Sequence, residues 1–346
     1  MNRRGLLVTL GVTAVVFVVL QVMISTGTLN AYWTKITDLA CIFVIYALGL
    51  NLIYGFTGQF SLGHAAFYGI GAYTAALLTK VYLPDTPITF PVALLLGGVM
   101  AGLVSFLVGL PILRLGSDYL GIATLGFGVI VTVIFNNGDS VIPAMGGAQG
   151  LTGIPFLTTF AWAFPIAVGV VILIRNLVYS SQGRAFLAVR EDEIAANTMG
   201  VNPFRYKMMA FVLGGFLAGV AGGLYAHLYL FLTPANFDFL KSVDVLTIVV
   251  LGGLGSISGT IVAAVGWTFL LEALRVVLPQ NVLDWRFVIF PLLLIVMMIL
   301  RPSGLMGGFE LPFLRSAPIR WKGAKGASPE PPEPQEKGGK HVQLEA

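Results

Sequence analysis

Charge is scarce in this chain. Only 10% of its 346 residues are Asp, Glu, Lys or Arg, against about 25% in a typical soluble domain. With 57% hydrophobic residues and a mean hydropathy of +0.88, that scarcity excludes an ordinary water-soluble fold. Cysteine is nearly absent: Cys41 is the single one, which rules out an intrachain disulfide and gives no thiolate metal cluster. A net charge of +4 is too small to suggest nucleic acid, and no metal site is expected. Neither a GxxxxGK[ST] phosphate loop nor an HExxH helix occurs, so ATP hydrolysis and zinc proteolysis by the usual machinery are excluded. Ser258 lies in GSISG, not in the G-x-S-x-G elbow, and no orienting group is evident beside His64 or His227, which disfavours an intramembrane hydrolase. No span shows a clear central carboxylate or lysine; Asp244, Glu272 and Arg275 read as interfacial. Ion-coupled carriers usually need such groups, so a secondary transporter is the competing class rather than the leading one.

What the chain does have is a series of apolar runs long enough to cross a bilayer. The expected fold class is an all-α polytopic membrane protein. Spans are expected at about 5–24, 39–54, 90–113, 119–135, 160–177, 208–231 and 287–300. A further span follows the glycine-rich break Gly55–Gly63 and runs to about Thr79. Residues 245–278 are too long for one ordinary span and read as a hairpin broken at GGLGSISG. Read as one tilted span, they would give nine crossings and an external basic tail. The hairpin reading gives ten, with Arg3, Arg4, Arg114 and the basic residues of the tail inside and both termini cytoplasmic. The run 5–24 is longer than a signal-peptide core and reads as an uncleaved first span. Lys35–Asp38, 80–89 and 233–244 are expected outside, and 136–159 reads as an outer or re-entrant loop. Residues 1–314 then form the transmembrane domain. Residues 315–346, rich in Pro, Glu and Lys, form a disordered cytoplasmic tail. A possible internal echo joins Lys35-x-x-Asp38 and Gly55-x-x-Gly58-x-x-Ser61 to Lys241-x-x-Asp244 and Gly252-x-x-Gly255-x-x-Ser258. In so glycine-rich a chain, chance recurrence is an equal explanation.

Lipid supplies no hydrophobic drive between helices, so small residues that let backbones approach mark the inner ones. Gly97, Ala101, Ser105 and Gly109 recur at every fourth position, as do Gly215, Gly219 and Gly223. These are expected helix-packing faces. The last span lacks such a face and should meet lipid or a partner.

One segment departs from the oily background, GRAFLAVREDEIAANTMGVNPFRYK at 183–207. Its acidic run suits the first turn of a short helix, expected from about Asp192 to Met199, with Gly200 as its stop. Ile194, Ala195 and Thr198 would share one face and Glu193, Ala196 and Asn197 another. Such a helix is either a solvated connector or a docking helix for a soluble partner.

This segment resembles the cytoplasmic coupling loop of branched-chain amino-acid ABC permeases of the LivM type. SLGHAAFYGIGAYTAALL, YLGIATLGFGVI, GGAQGLTGIP, LTIVVLGGLGSISGTIVAA and RPSGLMG, in that order, resemble the same family over most of 50–308. The resemblance implies an inner-membrane permease subunit, itself no enzyme and without a cofactor of its own. Its implied partners are a sister permease subunit, two cytoplasmic ATPase subunits carrying ATP and Mg, and an extracytoplasmic substrate-binding protein. Implied cargo is a branched-chain or other neutral amino acid; related importers move urea or short amides. Arg184, Arg190, Glu191, Asp192, Glu193, Ile194, Asn197 and Gly200 become the expected coupling residues. Replacing the three acidic residues with lysine should then uncouple uptake. A path for an aliphatic zwitterion is expected to need small apolar walls and a few fixed dipoles rather than a charged filter. Gln59, Ser61, His64, Thr124 and Ser258 are the candidate path contacts, since irregular backbone at membrane depth is tolerated beside protein or water. Local hydrogen bonding that satisfies the breaks is the alternative for each.

Overall fold

The computed structural model describes residues 3–82, 88–114 and 117–277, with single positions between 292 and 310. Most of the expected span at 287–300, the turn at 83–87 and the tail at 315–346 lie outside the described residues. Eleven α-helices are described: α1 Arg3–Ser25, α2 Ala31–Leu50, α3 His64–Leu77, α4 Thr89–Ile112, α5 Ser117–Asn136, α6 Phe160–Val178, α7 Ser181–Glu191, α8 Glu193–Thr198, α9 Pro203–Tyr229, α10 Phe239–Gly252 and α11 Ile257–Val277. A two-residue antiparallel pair joins β1, Leu151–Thr152, to β2, Phe231–Leu232. Among the described residues, six helices are long and apolar enough to cross a membrane.

α9 is the central post, packed along α4, α3 and α2. Its glycines explain how. A Cβ on Gly219 would come within 2.5 Å of Ala101 Cβ and 2.8 Å of the Gly97 carbonyl; one on Gly215 would meet Ser105 at 2.7 Å. Gly71 of α3 faces the Gly219 backbone as closely, and Gly109 faces Met208 at 3.0 Å. At such separations two backbones pack without intervening side chains, so dispersion contacts accumulate over the whole seam. α5 and α6 lie at the periphery, with most of their span surface uncovered.

Within the bundle, α3 and α10 each have 14 α-helical residues, about 21 Å of rise against the roughly 30 Å of a hydrocarbon core; α3 continues without a break through the π-helical turn Leu78–Tyr82, and α10 does not. α3 begins beside α2 partway along its length, where His64 Nε2 lies 3.3 Å from the Tyr46 carbonyl oxygen. Ser242 Oγ of α10 accepts the Ala65 N–H of α3 at 2.9 Å, so the starts of both short helices meet at that level. The chain before α10 therefore runs inside the bundle. Phe237 is buried among Tyr68, Tyr73, Phe135 and Tyr225.

These contacts correct two sequence expectations. Residues 239–244 belong to α10 rather than to a loop, which leaves only 233–238 as the connection: Asp238 caps α10 by accepting the Phe239 N–H at 2.6 Å, and Lys241 and Asp244 stand within the helix. Lys35 and Asp38 are not loop residues either; both lie in the span Ala31–Phe56, with Asp38 2% exposed and Lys35 Nζ 4.1 Å from the Tyr229 ring centre. In each case two charges three residues apart share one helix face, which protein covers at least in part, so their presence does not require a loop. Elsewhere the differences are small. α9 starts at Pro203, five residues before the expected 208, because Asn202 Oδ1 caps it through the Arg205 N–H.

Candidate coupling face and glycine breaks

The charge-dense segment folds as two helices, not one. Ser180 caps α7 by accepting from Gln182 and Gly183 N–H, and Asp192, in extended conformation, ends α7 and starts α8. Its carboxylate accepts Ile194 N–H at 2.8 Å and Ala195 N–H at 3.0 Å, satisfying two donors that a helix start leaves open. α7 buries Ala185, Phe186 and Val189 against the bundle, with Phe186 edge-on to Tyr206 of α9. Gly183 is needed there, because any Cβ would collide with the Val178 backbone. α8 buries only Ala196. Gly200 closes the pair at φ +83°, a left-handed conformation that favours glycine.

The expected coupling residues separate by task. Glu193 turns back to form an ion pair with Lys207 of α9. Arg184, Glu191, Asn197 and Gly200 are exposed. Ile194 is 79% and Met199 84% exposed, two large apolar side chains far more open than Leu187 of α7 at 38%. Arg190 points the other way: its Nη1 donates to the Gly55 carbonyl at 2.5 Å.

Gly55 belongs to the first break. α2 ends in a π-helical turn, Asn51–Gly55, and the chain reverses through Gly58 at φ +72°. The second break lies between α10 and α11, with Gly253 at φ +107° and Gly255 at φ +81°. Asn51, fully buried, ties the two together. Its Nδ2 donates to the Ser256 carbonyl at 3.0 Å and Thr260 Oγ1 at 2.9 Å, and its Oδ1 accepts the Gly255 N–H at 3.0 Å. Arg190 fits the same junction, its stem against Gly58 and its Nη1 2.9 Å from where a Gly255 Cβ would stand. A guanidinium at the carbonyl end of α2 is favourably placed for the helix dipole. Asn51 was not singled out from sequence. Its signal was present: one amide in the apolar run LACIFVIYALGLNLIYG, at membrane depth, needs partners.

The far side of the second break is closed by the chain beyond the last expected span. Leu305 N–H and Met306 N–H donate to the Leu251 and Gly252 carbonyls at 2.8 and 3.4 Å. Glu310 accepts the Ile257 and Ser258 N–H groups at 2.6 and 3.2 Å and the Ser258 hydroxyl at 2.5 Å. The end of α10 and the start of α11 are thus both capped.

Of the five path candidates, four gather near the first break and all are buried. Gln59 donates to Thr57 Oγ1 and the Lys207 carbonyl; Thr124 Oγ1 accepts the Leu62 N–H at 3.0 Å. Among the described residues, Ser61 Oγ and His64 Nδ1 find no hydrogen-bond partner. Ser258 stands apart at the second break, held by Glu310. Among the described residues, no three His, Cys, Asp or Glu side chains are grouped to hold a metal.

Long apolar helices, two broken spans and an amphipathic helix pair tied to the breaks define a multi-pass membrane protein built around interrupted helices. Residues 32–298 match the family model described as the branched-chain amino acid transport system / permease component. The chain is 36% identical over 318 residues to the high-affinity branched-chain amino acid transport system permease protein LivM of Escherichia coli, covering 82% of this chain and 71% of that protein. The LivM protein of Salmonella typhimurium is 35% identical over the same shares. A probable branched-chain amino acid transport permease protein LivH of Methanocaldococcus jannaschii is 25% identical, over 76% of this chain and 88% of the relative. The chain therefore belongs to the permease-component family of branched-chain amino acid transport systems. No solved structure matches it.

Proposed function

We propose that this chain is an inner-membrane permease subunit of an ATP-binding-cassette importer for branched-chain or other neutral amino acids. α7 and α8 face the cytoplasm and seat on ATPase subunits that carry ATP and Mg. A sister permease completes the membrane unit, and an extracytoplasmic binding protein delivers the cargo. Ile194 and Met199 are the apolar contacts to the ATPase. Arg190 is a positioning residue that passes movement of α7 inward to the Gly55 carbonyl, and Asn51 carries it on to α10 and α11. The α3–α4–α9 glycine seams move as one unit, because packing this close allows few intermediate positions.

The observation that carries this reading is the division of labour on α7 and α8. Apolar side chains point out toward a partner, while Arg190, near the end of α7, reaches in to the Gly55 carbonyl at the breaks. Purification of the full chain in mild detergent from its native membrane tests it. ATPase and sister permease subunits should co-purify. A cysteine replacing Met199 in a Cys41→Ser background should react with an impermeant maleimide only from the cytoplasmic side. Reaction from outside would contradict the orientation and the function together.

A further inference from the structure

Lys241 and Asp244 stand at mid-span. Lys241 Nζ lies 4.9 Å from the Phe43 ring centre, and Phe43 is the thirteenth residue of the 26-residue span Ala31–Phe56. Ser242, between them, bonds to the start of α3 at the same level. Nζ of Lys241 is 3.4 Å from Asp244 Oδ2, and the side chains are 25% and 37% exposed. Charges at this depth are strongly disfavoured against lipid, and they characteristically face a bundle interior or a water-filled cavity. Here neither side chain is fully covered by the described helices.

We infer that Lys241 and Asp244 line the translocation path and receive the two charged groups of a zwitterionic α-amino acid. The inference rests on the proposed transport function and deepens it. Asp244 takes the cargo's ammonium and Lys241 its carboxylate. Between passages the two side chains neutralise each other at 3.4 Å. Entry of a zwitterion exchanges one ion pair for two, so the resting pair offsets much of the gain and the site holds its cargo weakly. Weak holding is what passage requires. Leu240, 60% exposed and one turn before Asp244 on α10, supplies apolar surface for an aliphatic side chain. Urea and short amides carry neither charge and gain nothing from opening the pair, so the cargo class is a zwitterion. The charge-free path expected from sequence is revised accordingly.

The test uses the full complex with its sister permease, ATPases and binding protein in proteoliposomes, with leucine as the probe. Lys241→Gln and Asp244→Asn should each lower initial ATP-driven leucine uptake about tenfold or more, the loss expected of one charge-assisted contact. In a Cys41→Ser background, Asp244→Cys should react with a water-soluble methanethiosulfonate, and leucine under turnover should slow that reaction. Undiminished uptake in both charge variants overturns the inference. So does an unreactive cysteine, which would place the pair in lipid or sealed against the sister subunit. Should a charge variant fail to assemble, the cysteine reaction decides alone. A wild-type complex that takes up no leucine with ATP overturns the proposed function instead, and is read in the same preparation.

Discussion

The side-chain oxygen of Asn51 accepts the backbone N–H of Gly255 at 3.0 Å, across 204 residues of chain. With its two donated bonds, to Ser256 and Thr260, this buried amide makes the two glycine breaks one structural unit. Arg190 reaches that unit from the surface. The two breaks and α7 are thereby connected.

Removal of the tie should be costly. Asn51→Ala leaves the Gly255 N–H without its acceptor, at about 1–3 kcal/mol for a group left unsatisfied in the interior, while the Ser256 carbonyl keeps the Thr260 N–H and hydroxyl. The detergent-solubilised protein should melt at a lower temperature. Asn51→Asp keeps the acceptor for Gly255 but loses both donors, and should also destabilise. An unchanged melting temperature for the alanine variant would show that the breaks are not held together here.

Arg190→Gln keeps a polar group at the end of α7 but loses the charge at the Gly55 carbonyl. The ATPase subunits should still co-purify, since Ile194 and Met199 are untouched. Leucine taken up per ATP hydrolysed should fall about tenfold, a coupling loss of ~1.4 kcal/mol, and Arg190→Lys should restore part of it. Loss of ATPase co-purification would make Arg190 a docking contact rather than a positioning residue.

The docking face makes a different prediction. Ile194→Asp with Met199→Asp should reduce ATPase co-purification while leaving the helices capped by Ser180 and Asp192 intact. Glu193→Gln, by contrast, breaks only a partly exposed pair with Lys207, for which about 0–1 kcal/mol is typical. Its uptake should stay near wild type. The triple lysine replacement of Glu191, Asp192 and Glu193 mixes these effects, since Asp192 caps α8 and loss of a cap alone costs about 1 kcal/mol. Single substitutions are the cleaner comparison.

Glycines can be sorted by what surrounds them. Gly219→Leu drives a side chain into Ala101 and the Gly97 carbonyl. Overpacking of ordinary cores costs roughly 1–3 kcal/mol, and at a backbone seam the protein should fail to assemble. Gly169→Leu on α6 meets nothing within 4 Å and should be tolerated. Yield of monodisperse protein by gel filtration checks both. Equal tolerance would mean that the α4–α9 seam is looser than these separations require.

Much of the fold was legible because long apolar runs end where polar or turn residues begin. α4 and α6 begin within a residue of expectation for that reason. The small-residue rows of α4 and α9 were visible as a period of four, and only packing shows what each glycine faces. Less legible was the depth of charges. Lys35 with Asp38, and Lys241 with Asp244, read as loop markers because charge and water usually go together. In the fold Asp38 is buried within its helix while Lys35 stays exposed, and the other pair stands on a helix too short to cross the bilayer. α7 was hidden by Gly183, which looks like a breaker but serves a close approach to the Val178 backbone. The closure of the second break by Glu310 could not be read locally, since its partners lie 52 and 53 residues earlier.

Transport itself is the most direct test. Leucine uptake should be measured in proteoliposomes holding the assembled complex with ATP inside, and in matched vesicles holding this chain alone. The account predicts uptake only in the first, abolished when ATP is replaced by a non-hydrolysable analogue. Accumulation by the isolated chain, driven by an ion gradient without ATP, would contradict it.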